Sequence, residues 1–283
     1  MTLDRTFDYE GRPVAWGREG SGPPVVLCHG TPWSSATWEH VVPTLARDHT
    51  VYRWDMLGYG RSMTARGDVS LDAQGRLLAA LLAHWHSEGM LVPHVVAHDY
   101  GGAVALRALL LHGAQVASLA LVDVVALAPW GSDFFLLVRE HADVFSRLPA
   151  AMHEALVTAY IQGAAAGRLP GATVEQLVAP WLGPVGQVAF YRQIAAADQR
   201  WTDEVEPLYP TIEVPGLVVW GEEDPWIPVD RARALAAAIP GARLELVEGV
   251  GHLVPLEAPD RLTEVLVSWL GGTARNAGGA AYR

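Results

Sequence analysis

The chain reads as an α/β protein, with a mostly parallel central sheet flanked by helices and an inserted helical cap. Three observations predict this. Short apolar runs of strand length alternate with helical stretches, the pattern of a parallel sheet covered on both faces. Between about Ala128 and Thr211 the alternation stops, and only helix-like pieces broken by Pro149, Pro170, Pro180 and Pro184 remain. A length of 283 residues, 51% of them hydrophobic, suffices for one large core with an inserted subdomain.

Taken in order, residues 6–9 and 13–16 flank Glu10-Gly11-Arg12 and predict a hairpin. Residues 25–28 and 51–54 are short buried strands with a helical stretch between them, and a helix over 71–85 leads to the strand 95–98. A helix over 103–111 and a strand over 119–122 follow; after the insertion, strands 217–220 and 244–247 alternate with helices 230–238 and 259–270. The core is thus expected at 1–127 and 212–270, and the helical cap at 128–211. A flexible tail is expected at 271–283, where Gly and Ala dominate without an apolar period.

Composition narrows the partners. A formal net charge of −11 without a basic run gives a nucleic acid nothing to bind electrostatically, and disfavours an anionic substrate at long range. No stretch reaches the roughly 18 apolar residues of a membrane span, and the start lacks a signal-like apolar segment. The single cysteine, Cys28, lies in an apolar strand and has no intramolecular partner, so a cytoplasmic location is expected. His84 and His86 are two apart on a helix and face different ways, so they do not suggest a metal site; no metal or cofactor is expected. Eleven tryptophans favour an aromatic-lined cavity, and a homodimer stays open.

The chemistry starts at Asp99. Val95-Val96-Ala97-His98-Asp99-Tyr100-Gly101-Gly102 runs from an apolar strand through a tight turn into an Ala/Leu-rich helix, which is a nucleophile elbow with a carboxylate at its tip. An aspartate is ionised at neutral pH and attacks without a base. Its attack on an ester or amide carbonyl would give an energy-rich anhydride, whereas attack on a saturated carbon with a good leaving group gives an ordinary ester. Epoxides and alkyl halides therefore fit as substrates.

Five motifs stand in one order: His29-Gly30-Thr31-Pro32, Asp55-Met56-Leu57-Gly58-Tyr59-Gly60-Arg61-Ser62, the elbow at Asp99, Gly221-Glu222-Glu223-Asp224 and Gly251-His252. Together they resemble the α/β-hydrolase superfamily over nearly the whole chain outside the cap and tail. His98-Asp99-Tyr100-Gly101-Gly102 resembles its Asp-nucleophile branch of epoxide hydrolases and dehalogenases. The resemblance implies an α/β-hydrolase fold and makes His252 the imidazole that activates water, for which it must be neutral. It places the acid that orients His252 at Asp224, with Asp123, after an earlier strand, as the alternative. Backbone N–H groups of Thr31 and Tyr100 are the expected oxyanion-hole donors.

The leaving group is read from the cap. An opening epoxide needs a proton, and Ala189-Phe190-Tyr191-Arg192-Gln193 is similar to the epoxide-hydrolase segment that supplies a ring-opening tyrosine, so Tyr191 is the expected acid. The region of the family's second cap tyrosine holds Asp133-Phe134-Phe135 instead, and Tyr160 is the substitute if the cap folds differently. Trp33, His98 and Trp130 are candidate pocket residues. Tyr100 stands where related haloalkane dehalogenases carry a halide-binding tryptophan, and Arg107 is nearly two helical turns from the elbow, which argues against a haloacid. The reading is a hydrolase that opens a small, neutral, lipophilic epoxide to a vicinal diol through an aspartyl ester. A haloalkane dehalogenase with the same residues and a non-catalytic small-ligand-binding protein of this fold are the alternatives.

Overall fold

The computed structural model describes residues 3–64 and 66–280. Eight strands form one sheet: β1 (Arg5–Tyr9), β2 (Arg12–Gly20), β3 (Pro24–Cys28), β4 (Thr50–Trp54), β5 (His94–His98), β6 (Ser118–Val122), β7 (Gly216–Gly221) and β8 (Arg243–Val247). Their spatial order is β1-β2-β4-β3-β5-β6-β7-β8. β1 and β2 make an antiparallel hairpin whose two-residue loop, Glu10 (φ 54°) and Gly11 (φ 74°), has the two left-handed residues that match the twist of paired strands. β2 pairs antiparallel with β4, and every pairing from β4 onward is parallel.

Period-two alternation divides the apolar residues of the central strands between the two faces of the sheet. Val26 and Cys28 of β3, Leu119 and Leu121 of β6, and Val218 and Trp220 of β7 face one core, which is closed by the helices Leu71–Ser87 and Tyr100–Leu111. Val25 and Leu27, Ala120 and Val122, and Leu217 and Val219 face the other, where helix Pro259–Ala280 packs through Leu262, Leu266 and Trp269. Each such Val or Leu contributes about 1.5–3 kcal/mol by leaving water, so a one-residue slip of any central strand would be prohibitive. Burial holds the Cys28 thiol protonated, with its pKa pushed up to about 12.

Between β6 and β7 lie the helices Asp133–Phe145, Ala150–Gln162, Gly171–Val178 and Gly183–Ala195, with shorter turns after them and no strand. The prolines that punctuate this segment start helices: Pro149 and Pro170 are N-caps, and Pro184 sits in the first turn, where its missing N–H costs no bond. The segment is tied to the sheet loops. Trp181 Nε1 donates to Pro32 O at 2.8 Å, Arg192 Nη2 to Thr64 O at 2.9 Å, and Arg107 Nη1 to Trp201 O at 2.7 Å.

The tail expected at 271–283 differs. The last helix continues to Ala280, because Gly271 and Gly272 keep negative φ and Thr273 is buried against Leu270; residues 281–283 lie outside the described residues. Two glycines weaken a helix by about 1 kcal/mol each but end it only where one turns left-handed. Among the described residues no helix is long and apolar enough to cross a membrane.

Candidate active site

Asp99 joins β5 to helix Tyr100–Leu111 with φ 51° and ψ −122°, a strained conformation for a residue with a Cβ. The turn holds it there: Asp99 N–H donates to Val122 O at 3.2 Å, and its carbonyl accepts from Gly102 N–H at 3.0 Å and Val125 N–H at 3.2 Å. The elbow also needs missing side chains. A Cβ on Gly101 would stand 2.6 Å from the carbonyl oxygens of Cys28 and His29, and one on Gly30 would stand 2.3 Å from Asp99 Cβ.

Thr31 N–H donates to Asp99 Oδ1 at 2.6 Å. The loop bearing it is clamped by His29, whose Nδ1–H donates to Gly30 O at 2.8 Å while Nε2 accepts from Met56 N–H at 2.9 Å. The Thr31 hydroxyl and Tyr59 hydroxyl both donate to Gln193 Oε1, at 2.6 Å and 2.9 Å, so the inserted helices brace the same loop. Tyr100 N–H, the other expected donor, is the first residue of the elbow helix, where backbone N–H groups have no intrahelical acceptor. Asp55 accepts from Ser35 N–H and Arg61 N–H and so joins its own loop to the turn at Ser35.

On the other side of Asp99, His252 Nε2 lies 3.2 Å from Oδ2, an ion-pair distance without hydrogen-bond alignment. Its Nδ1–H donates to Asp224 Oδ2 at 2.8 Å, and Asp224 Oδ1 accepts from Trp226 N–H at 2.8 Å and Ile227 N–H at 2.9 Å. Burial disfavours charge on the His252 ring, but the carboxylates of Asp224 and Asp99 outweigh it and hold its pKa well above the usual histidine range. This favours the imidazolium form in the free protein, whereas the sequence reading requires a neutral ring at the step that activates water.

Asp123 does not reach His252. Its Oδ1 accepts from Gly221 N–H at 2.8 Å, and burial, then the charge of Asp224, keep this carboxyl protonated. His98 stands behind the imidazole instead of in a pocket, its Nε2–H donating to His252 O at 2.8 Å. Burial, with His252 adding to it, lowers its pKa to about 4.

Asp99 opens into a cavity of about 360 Å³ walled by Tyr100, Trp130, Phe135, Tyr160 and Trp226. A larger open hollow of about 830 Å³ around Glu39, Arg47 and Arg61 reaches none of Asp99, Thr31, Asp224 and His252. Trp130 bounds the cavity, and its indole N–H is taken by Thr202 Oγ1 at 2.7 Å. Trp33 is not in the wall; it stacks behind Trp226, ring centres 5.9 Å apart.

Tyr191 is absent from the cavity, which corrects the sequence reading. It is fully buried between helices, its O–H donating to His153 Nδ1 at 2.9 Å while His153 Nε2–H donates to Trp181 O at 2.8 Å. The helix Gly183–Ala195 turns Tyr191 toward helix Ala150–Gln162 and sends Gln193 to the Thr31 loop. Tyr160 is the phenol of the insertion that reaches the cavity, stacked on Trp226 at 4.6 Å. The hydroxyl of Tyr100 is buried with no hydrogen-bond partner among the described residues. Burial raises the pKa of both phenols well above the ordinary value, and the Asp99 charge adds to it, so both remain proton donors.

Trp226 has no motif in the sequence that marks it, and Tyr59 and Gln193 lie inside quoted segments that singled out other residues. Only the position of Trp226 two residues after Asp224 could have singled it out.

The sequence model of the alpha/beta hydrolase family matches residues 25–265. A crystal structure of an alpha/beta hydrolase fold protein from Burkholderia ambifaria is 45% identical, superposes with a TM-score of 0.90, and is matched over 95% of this chain and 98% of that one. Epoxide hydrolase A of Mycobacterium tuberculosis is 28% identical over 318 residues, covering 95% of this chain and 97% of the relative. A thermophilic esterase from Thermogutta terrifontis, 24% identical with a TM-score of 0.75 over 95% and 97% of the two chains, shares the fold.

Proposed function

The chain belongs to the alpha/beta hydrolase family, and we propose that it opens a lipophilic epoxide to a vicinal diol through an ester on Asp99. The observation that carries this is the arrangement of one carboxylate. Asp99 Oδ1 sits on the Thr31 N–H, Oδ2 faces His252, and two phenols, Tyr100 and Tyr160, line the cavity into which it opens. The likeness to epoxide hydrolase A supports the same reading.

Asp99 Oδ2 attacks a ring carbon, the C–O bond breaks, and the leaving oxygen takes the proton of Tyr160 while the Tyr100 hydroxyl donates a hydrogen bond to it. Esterification removes the Asp99 charge, and with it one of the two carboxylates that hold the His252 proton. The ring then sheds that proton, and the Tyr160 phenolate recovers one, so the two steps balance. Neutral His252 takes a proton from water, the hydroxide adds to the ester carbonyl, and the charge on Oδ1 is met by Thr31 N–H and Tyr100 N–H. Collapse releases the diol and restores Asp99. A halide leaving group is less well served, because the Trp130 N–H is already bonded to Thr202.

Intact-protein mass spectrometry of His252→Gln after incubation with aryl and alkyl epoxides is the direct test. The expected result is a stable adduct with the mass of the whole epoxide, on the peptide containing Asp99. An adduct equal to a haloalkane minus its hydrogen halide, with none from epoxides, would transfer the assignment to dehalogenation.

A further inference from the structure

Two residues of the cavity wall carry formal charge, Asp99 and Arg231, and the mechanism above uses only the first. Arg231 stands in the first turn of helix Asp230–Ala238, partly buried, with Nη1 donating to Ala128 O at 2.6 Å. That bond tethers the guanidinium where the chain from Pro129 to Gly131 rounds the cavity. Glu206 accepts from the N–H of Ala128 at 3.4 Å, but among the described residues no carboxylate lies within ion-pair distance of Arg231. Arg107, by contrast, is buried and paired with both Asp72 and Glu204.

We propose that Arg231 binds an anionic group of the substrate, a carboxylate, so that the enzyme takes lipophilic epoxy acids in place of the neutral epoxides expected from the sequence. The reaction in this statement rests on the preceding subsection; the anion site does not. A guanidinium has five N–H donors in a planar fork that matches a carboxylate, and the tether to Ala128 occupies only Nη1. Its position also solves an orientation problem. Asp99 repels an anion, so an acid anchored at Arg231 presents its uncharged end to the nucleophile, across a wall made by Trp130, Phe135 and Tyr160. With a net charge of −11 the protein as a whole does not attract acids, so their recognition must come from a short-range contact of this kind.

Calorimetric binding of 4-phenylbutyrate and its amide to the full chain tests the site without any reaction. The wild type is expected to bind the carboxylate about 10- to 100-fold more tightly than the amide, the range for a charge-assisted contact. Arg231→Gln should erase that preference, and Arg231→Lys should keep part of it. A wild type that binds the two equally, prefers the amide or binds no carboxylate at millimolar concentration overturns the proposal, and so does an Arg231→Gln protein that keeps the preference. The reaction is read separately, by exposing His252→Gln to an epoxy acid and its methyl ester. Carboxylate preference without an adduct from either compound would leave the anion site standing and remove the epoxide chemistry.

Discussion

The floor and the roof of the cavity aim their polar groups by different means. On the floor, main chain does it: Asp99 is presented by a strained turn, Thr31 offers its N–H from a loop clamped by His29, and Asp224 is held by two consecutive N–H groups before it meets His252. On the roof, side chains on packed helices do it, and two tyrosines of the same insertion end in opposite circumstances. Tyr191 is locked to His153, and Tyr160 stacks on Trp226 beside Asp99. A position set by main chain follows from a few neighbouring residues, whereas one set by helix packing depends on residues far along the chain.

The comparison is broken most severely at the floor. Asp99→Asn is expected to lose turnover by more than about 10³-fold and to form no adduct, provided mass spectrometry excludes deamidation back to aspartate. Unchanged turnover would sink the mechanism. Next in size is the acid behind the imidazole: Asp224→Asn should cost on the order of 10³-fold, because the ring loses the charge that stabilises its protonated form. Asp123→Asn should change kcat only a few-fold, since that carboxyl is already neutral and its Oδ1 contact with Gly221 survives in the amide. Equal losses in both variants would show that the acid is not the residue nearest Nδ1.

At the roof, Tyr160→Phe should lower the alkylation rate about 10²-fold, the usual contribution of a positioned acid, while Tyr191→Phe should leave kcat within a few-fold and lower the melting temperature by a few degrees. The reverse ranking would restore Tyr191 as the proton donor. The smallest effect is a shift in pH dependence. Two carboxylates raise the His252 pKa in the free protein, and esterification removes one, so the ring titrates at lower pH in the ester. Hydrolysis needs the neutral ring and should rise with pH, its midpoint in single-turnover experiments falling below the midpoint of His252 measured by NMR in the free protein. Coincident midpoints would mean that the Asp99 charge does not reach the ring.

Much of this was readable before any coordinates. Strand positions came within one residue, apart from β2, which runs four residues beyond its expected end, and helix 230–238 matched to the residue, because apolar runs and turn residues report local preferences. The prolines of the insertion correctly announced helix boundaries. Tyr191 misled because a likeness over five residues says nothing about which side of the helix Gly183–Ala195 meets the cavity. Arg231 gave no signal at all, since a helical arginine in a sequence is indistinguishable from any solvated one.

By itself, the sequence determined the class of the sheet, the interruption after β6 and the carboxylate at the elbow, because each is encoded by neighbours within one turn or strand and by backbone sterics alone. Only the tertiary structure put Asp224 and not Asp123 against His252, Tyr160 and not Tyr191 in the cavity wall, and Arg231 beside them. Those outcomes depend on rotations and approaches of elements tens of residues apart, set by the packing of a shared core.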